Sequence, residues 1–136
     1  MTDYSSEASG GAFQRITDVL IAPASRPAGH QRVRAVIDTG SDVSAVPEQF
    51  IRANGLVPTA DQEIVFADGR TVIEPLFQVQ LTLQSWQPVP VLVWAAPFET
   101  ALVGLDVLQH GFLIADGPRG RFDLLWRETW RARLMR

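Results

Sequence analysis

Ala35-Val36-Ile37-Asp38-Thr39-Gly40-Ser41 is an apolar strand that ends on a carboxylate and passes at once into small hydroxyl and glycine residues. A strand end holds Asp38 rigidly, Thr39 can hydrogen-bond backbone groups of a facing loop, and Gly40 lets the chain approach a partner or ligand closely. That pattern suits an acid held for catalysis. A plainer reading draws on the same residues, because Asp, Thr, Gly and Ser all favour turns and could simply end a strand. The surrounding sequence decides between the two.

Upstream, residues 14–22 read as a strand and residues 23–29, with two prolines and a glycine, as a loop. Residues 31–37 form a second strand with Val33, Ala35 and Ile37 on one face, giving a hairpin with a long loop. Downstream, Pro47 suits a first helical turn and Asn54-Gly55 tolerates the left-handed C-terminal conformation, so residues 48–53 are expected to be helical. Residues 63–66 and 71–73 flank Ala67-Asp68-Gly69-Arg70, a hairpin signal in which both central residues can take positive φ. Strict alternation over residues 77–84 puts Phe77, Val79, Leu81 and Leu83 on one buried face. Residues 89–94 and 101–103 are further strands, 106–110 a helical turn stopped by Gly111, and 112–115 with 122–126 a closing hairpin around residues 117–120. The expected architecture is mostly β with one or two short helices, and no internal repeat stands out.

With 136 residues and 15.0 kDa the chain suits one domain, able to bury roughly two-thirds of its unfolded surface without a disulfide or metal staple. Its lack of Cys excludes a thiol nucleophile, a Cys-based zinc site and a disulfide framework. His30 and His110 are the only imidazoles, which argues against a His-rich metal site and against a Ser-His triad. Carboxylates remain for polar chemistry, with no cofactor or metal expected.

All 12 basic residues are Arg; 6 of them face 13 acids through Pro118, whereas the last 18 residues carry 6 Arg against 2 acids. An acidic body with a pI near 5.3 makes nucleic acid an unexpected partner. No stretch approaches the ~20 apolar residues of a membrane span, and the N-terminus lacks a signal-peptide pattern, so a cytoplasmic location is expected. Residues 1–12, rich in Ser, Gly and Ala, read as a flexible lead-in, residues 13–126 as the domain, and 127–136 as an Arg/Trp-rich tail. Trp126, Trp130 and Leu134 recur every four residues, which allows an amphipathic helix packing on the body or across a dimer. His30 and His110 read as structural or solvated.

Three features in order, residues 35–41, the Ala67-Asp68-Gly69 hairpin and Ala-Leu-Val-Gly-Leu-Asp-Val-Leu at 101–108, resemble a retroviral-type aspartic protease, or retropepsin-like domain. The resemblance spans about residues 13–126, and the Gly-Leu-Asp-Val-Leu element looks closer to cellular than to viral members. It implies a closed, acid-protease β barrel whose active site exists only in a dimer. Chemistry leads the same way, because this catalysis needs two carboxyls, one as base and one as acid, and the chain has one Asp-Thr-Gly. Asp116-Gly117 follows an apolar run too, but Pro118 and the missing hydroxyl mark it as hairpin chemistry.

By that resemblance Asp38, Thr39 and Gly40 are catalytic, and Ser41, Asp42, Ala67, Asp68, Gly69 and Val103 bind substrate, with the Asp68-Gly69 hairpin as a mobile flap. Val36, Ile64 and Val103 are candidate pocket walls. Leu102-Val103-Gly104 would pack behind the Asp38 turn, and Asp106 would stabilise a helix N-terminus through its dipole. Viral relatives often carry an Arg directly after this glycine, paired with an acid just past Asp-Thr-Gly. Here Leu105 stands in that place, leaving Asp42 to Arg70, to substrate amides or to solvent. The expected function is a homodimeric endopeptidase acting on peptide or protein substrates with apolar residues flanking the cut. The competing class is a non-catalytic dimerisation or peptide-binding module on the same fold.

Overall fold

The structure, a computed structural model, describes residues 2–3 and 16–128. Its elements run β1 (Thr2–Asp3), β2 (Ile16–Pro23), β3 (Gln31–Ile37), β4 (Ala45–Pro47), α1 (Glu48–Ala53), β5 (Ala60–Val65) and β6 (Thr71–Leu83). There follow β7 (Val89–Ala96), β8 (Ala101–Val103), α2 (Leu105–Leu108), β9 (Gly111–Asp116) and β10 (Arg121–Trp126). The chain is thus mostly β with two short helices, as its alternating apolar pattern predicts.

Seven strands form one sheet in the order β2-β3-β8-β4-β7-β6-β5, and β2 also pairs with β6. That extra pairing, from Val19↔Leu83 to Pro23↔Val79, closes six strands into a circuit and leaves β5 outside it. A second sheet holds β1, β10 and β9, with Thr2 opposite Phe122. The closed circuit turns its apolar faces inward. Val79, Leu81 and Leu83 from the alternating strand are fully buried, Phe77 nearly so, and Ala35 and Ile37 meet them from β3. Burying such side chains stabilises by about 1.5–3 kcal/mol each.

Helix α1 ends as its sequence predicts. The Leu56 amide donates to the Ile51 carbonyl at 3.1 Å and the Gly55 amide to Arg52 at 3.1 Å, a Schellman arrangement with Gly55 at φ 59°. Elsewhere tertiary pairing overrides local signals. The two strands expected on either side of Pro75 are one, β6, running through the proline. At Pro75 the strand has only β5 beside it, since pairing with β7 begins at Leu76, and a residue without an N–H is tolerated where one side is unpaired. Strand β4, three buried residues bridging β7 and β8, is too short to show a period.

At the other end, His110 stacks on Trp126 at 6.4 Å, Trp86 tilts against Trp126 at 5.5 Å, and the Arg127 guanidinium lies 4.8 Å over the same indole. The tail therefore begins packed on the body. Trp130 and Leu134 of the expected amphipathic stripe, and residues 4–12 of the lead-in, lie outside the described residues.

Candidate active site

Strand β3 runs parallel to β8 with Ile37 beside Val103, so the chain leaves the sheet at Asp38 with a neighbour still alongside. The Asp38 amide donates to the Val103 carbonyl at 2.9 Å. The chain then folds back: the Ser41 amide donates to the Asp38 carbonyl at 3.2 Å, and Asp38 Oδ1 accepts the Gly40 amide at 3.0 Å. Asp38 is thereby held through its amide, carbonyl and carboxylate. Its side chain stays half-buried while Thr39 and Gly40 are exposed.

A second segment packs behind this turn. The Leu105 amide donates to the Ser41 carbonyl at 2.8 Å and the Gly104 amide to Ser44 Oγ at 2.8 Å. A Cβ on Gly104 would stand 2.6 Å from the Ser41 carbonyl oxygen, so only glycine permits this approach. The close packing expected of Leu102-Val103-Gly104 is what the chain does. Asp106, read from sequence as a helix-dipole partner, accepts the Val107 amide at 2.9 Å but also reaches back to Ser44, a longer-range role that spacing alone does not reveal.

Asp38, Gly40, Ser41, Asp42 and Val43 form one side of a cleft of about 460 Å³. Residues 62–67, from β5 and the turn beyond it, form a second side, and Trp94, Phe98 and Leu102 a third. Of the sequence-derived candidates, the fold brings Asp38, Gly40, Ser41, Asp42, Ile64 and Ala67 to this cleft. Thr39 adjoins it on the exposed edge of the turn.

Val103 needs correction as a pocket wall. Its side chain is fully buried, because alternation along β8 turns Val103 to the core and Leu102 to the cleft. What Val103 contributes is its carbonyl. Val36 is half-buried and stands apart from the cleft. Phe98, Trp94 and Phe66 were not singled out from sequence, and Leu102 was expected only to pack behind the Asp38 turn. Phe98 carried a usable signal, an aromatic in a polar segment between two strands; the others depend on strand register.

Asp68 and Gly69 sit at the tip of the hairpin, outside the cleft lining. Of the two, only Gly69 takes positive φ, at 83°, and the Asp68 carboxylate accepts the Arg70 amide at 2.9 Å. The turn closes through the Gly69 amide to Phe66 at 2.9 Å and the Phe66 amide to Arg70 at 2.8 Å. Arg70 lies 3.6 Å from Asp68 and 5.0 Å over the Phe66 ring, so its guanidinium serves the hairpin rather than Asp42. Among the described residues no three His, Cys, Asp or Glu side chains converge as metal ligands would.

Residues 27–110 match the family model described as gag-polyprotein putative aspartyl protease. No curated protein matches the chain. Among solved structures the chain is similar to a retropepsin-like aspartic protease from Rickettsia conorii, with 14% identity, a TM-score of 0.51, and coverage of 90% of this chain and 94% of that one. It is similar also to the EIAV protease in complex with the inhibitor HBY-793, at 18% identity and a TM-score of 0.50 over 75% of this chain and 91% of that one. The foamy viral protease-reverse transcriptase gives 14% identity and a TM-score of 0.52 over 69% of this chain, which spans only 12% of that longer protein. At these identities the structures speak for the fold, while the family match covers more than half of the sequence. The chain belongs to this gag-polyprotein aspartyl protease family and has a retropepsin-like fold.

Proposed function

We propose that the protein is a homodimeric aspartic endopeptidase in which two Asp38 carboxyls, one from each protomer, hold and activate the water that cleaves a peptide bond. The observation that supports this most is the Asp38 turn itself. Its carboxyl is fixed by the Gly40 amide at 3.0 Å and its amide by Val103 at 2.9 Å, yet Thr39 and Gly40 beside it stay exposed. Such a turn is rigid enough to be a catalytic half and open enough to receive another. A two-fold axis through it would present the same surface to itself, the commonest form of soluble assembly.

Two carboxyls about 3 Å apart cannot both ionise cheaply, so the pair shares one proton; aspartic proteases are the standard example of this coupling. The ionised member takes a proton from the water as its oxygen attacks the scissile carbonyl carbon. The protonated member gives its proton to the carbonyl oxygen. Collapse of the resulting diol breaks the C–N bond, with a proton passing to the leaving nitrogen, and no acyl-enzyme forms.

Substrate would lie extended in the cleft. β5 ends the sheet order, so its outer edge keeps main-chain groups that can pair with a peptide strand. Ile64, Phe66, Trp94, Phe98 and Leu102 offer apolar surface for side chains flanking the cut. The Asp68-Gly69 hairpin would close over the peptide and exclude water. The test is cleavage of a diverse peptide library by the wild-type chain and by Asp38→Asn, with and without a statine-type transition-state mimic. Cleavage that vanishes with the substitution and with the mimic supports the reading. Peptide binding without cleavage by the wild type would make the protein a binding module instead.

A further inference from the structure

Ser44 is fully buried and polar, a costly placement unless both its donor and its acceptor are used. Both are. Its hydroxyl donates to Asp106 Oδ1 at 2.6 Å and accepts the Gly104 amide at 2.8 Å, while its own amide donates to Asp106 Oδ2 at 2.9 Å. One carboxylate thus brackets one residue with two charge-assisted bonds.

The bracket lies at the end of a ladder that runs to Asp38. Val103 holds the Asp38 amide, Gly104 meets Ser44, Leu105 holds the Ser41 carbonyl and Asp106 returns to Ser44. Four consecutive residues therefore grip the segment 38–44. The first two turn-holding contacts need residues 103–105 at a set height, and the 2.6 Å spacing that a Gly104 Cβ would have from Ser41 leaves no room for slack. What pins the far end is the Asp106 carboxylate. Among the described residues the Asp38 carboxyl is tied only by the Gly40 amide, so its orientation depends on the turn being held.

We infer that Asp106, acting through Ser44, is a positioning residue for Asp38: its carboxylate fixes the turn so that the Asp38 carboxyl stands where a second one can share its proton. This rests on the reading of Asp38 as the catalytic acid. It assigns to the Asp of the Gly-Leu-Asp segment a role in orienting catalysis, beyond stabilising a four-residue helix.

The experiment compares the full chain with Asp106→Asn, which keeps size but loses the second acceptor, with Ser44→Ala, with the double variant, and with Leu124→Ala as a control for general destabilisation. Leu124 is buried in the other sheet, on β10. Two readouts are taken. The first is the pH titration of the Gly40 amide shift by NMR, which reports the Asp38 carboxyl through their 3.0 Å bond whether or not the protein cleaves anything. The second is the split between kcat and KM on a cleaved peptide.

The inference predicts a Gly40 titration much reduced in amplitude in both single variants and unchanged in Leu124→Ala. It predicts kcat lower by roughly 10- to 100-fold with KM within about twofold, the scale of a small misplacement of a reacting group. The double variant should lose about as much as either single one, since both break the same link. A Gly40 titration like that of the wild type in either folded single variant overturns the inference, as does a loss shared equally by Leu124→Ala. Should Asp106→Asn not fold, Ser44→Ala carries the same decision. A wild-type chain that cleaves nothing, but whose Gly40 titration depends on Asp106, would refute the enzymatic reading while upholding the positioning of Asp38.

Discussion

The amide of Asp38 donates to the carbonyl of Val103 at 2.9 Å, although 65 positions separate them in the chain. This bond continues the parallel pairing of β3 and β8 by one step past the end of the sheet. The acid is therefore placed by strand register, and any change that shifts β8 shifts the acid.

Gly104→Ala should be among the most damaging single changes outside the turn. Its methyl would meet the Ser41 carbonyl, a backbone atom that cannot swing away. The expected loss is about 1–3 kcal/mol of stability, read by denaturant unfolding, together with loss of cleavage even at temperatures where the variant is folded.

Gly69→Ala tests the hairpin tip. At φ 83° with no heavy atom within 4 Å of an added Cβ, the cost is conformational and not steric crowding. The hairpin should lose about 1–2 kcal/mol of local stability. Because the tip lies away from the core, the global unfolding midpoint should move less than amide exchange in residues 66–70 does. If the hairpin is a flap, KM should rise more than kcat falls.

Phe98→Ala tests the cleft. The ring is 50% exposed, so global stability should change by no more than about 0.5 kcal/mol. Peptides with large apolar residues beside the cut should lose roughly 10-fold in kcat/KM, and peptides with small ones much less.

The pH profile should be bell-shaped. With both Asp38 carboxyls of the pair protonated no base remains, and with both ionised no acid remains. Activity should therefore peak on the acidic side of neutrality and fall away toward high pH. A rate that keeps rising through neutrality would argue for another nucleophile.

Much of the fold is legible in the sequence where one period dominates: β3, α1 and β8 fall on the bounds that alternation, Pro47 and Gly55 predict. The turn at Asp38 is legible because its chemistry is local, and Gly104 because its neighbours read as a strand entering a helix. Other features are set by distant partners. Residues 71–73 and 77–84 read as separate segments with Pro75 between them, because nothing local says that β6 runs through with a single neighbour there. Val103 and Leu102 differ by one position, and only pairing with β3 decides which faces the cleft. Ser44 drew no notice, since a serine among small residues gives no sign that a carboxylate 62 positions away will bond it.

The most direct test of the central claim is subunit mixing. Wild-type chains are combined with increasing amounts of Asp38→Asn chains, allowed to exchange, and assayed for peptide cleavage at constant total protein. If each site needs an Asp38 from both protomers, activity follows the square of the wild-type fraction, about a quarter at an equal mixture. Activity that falls in simple proportion, to about a half, would mean that a single chain carries a complete site and would contradict the account.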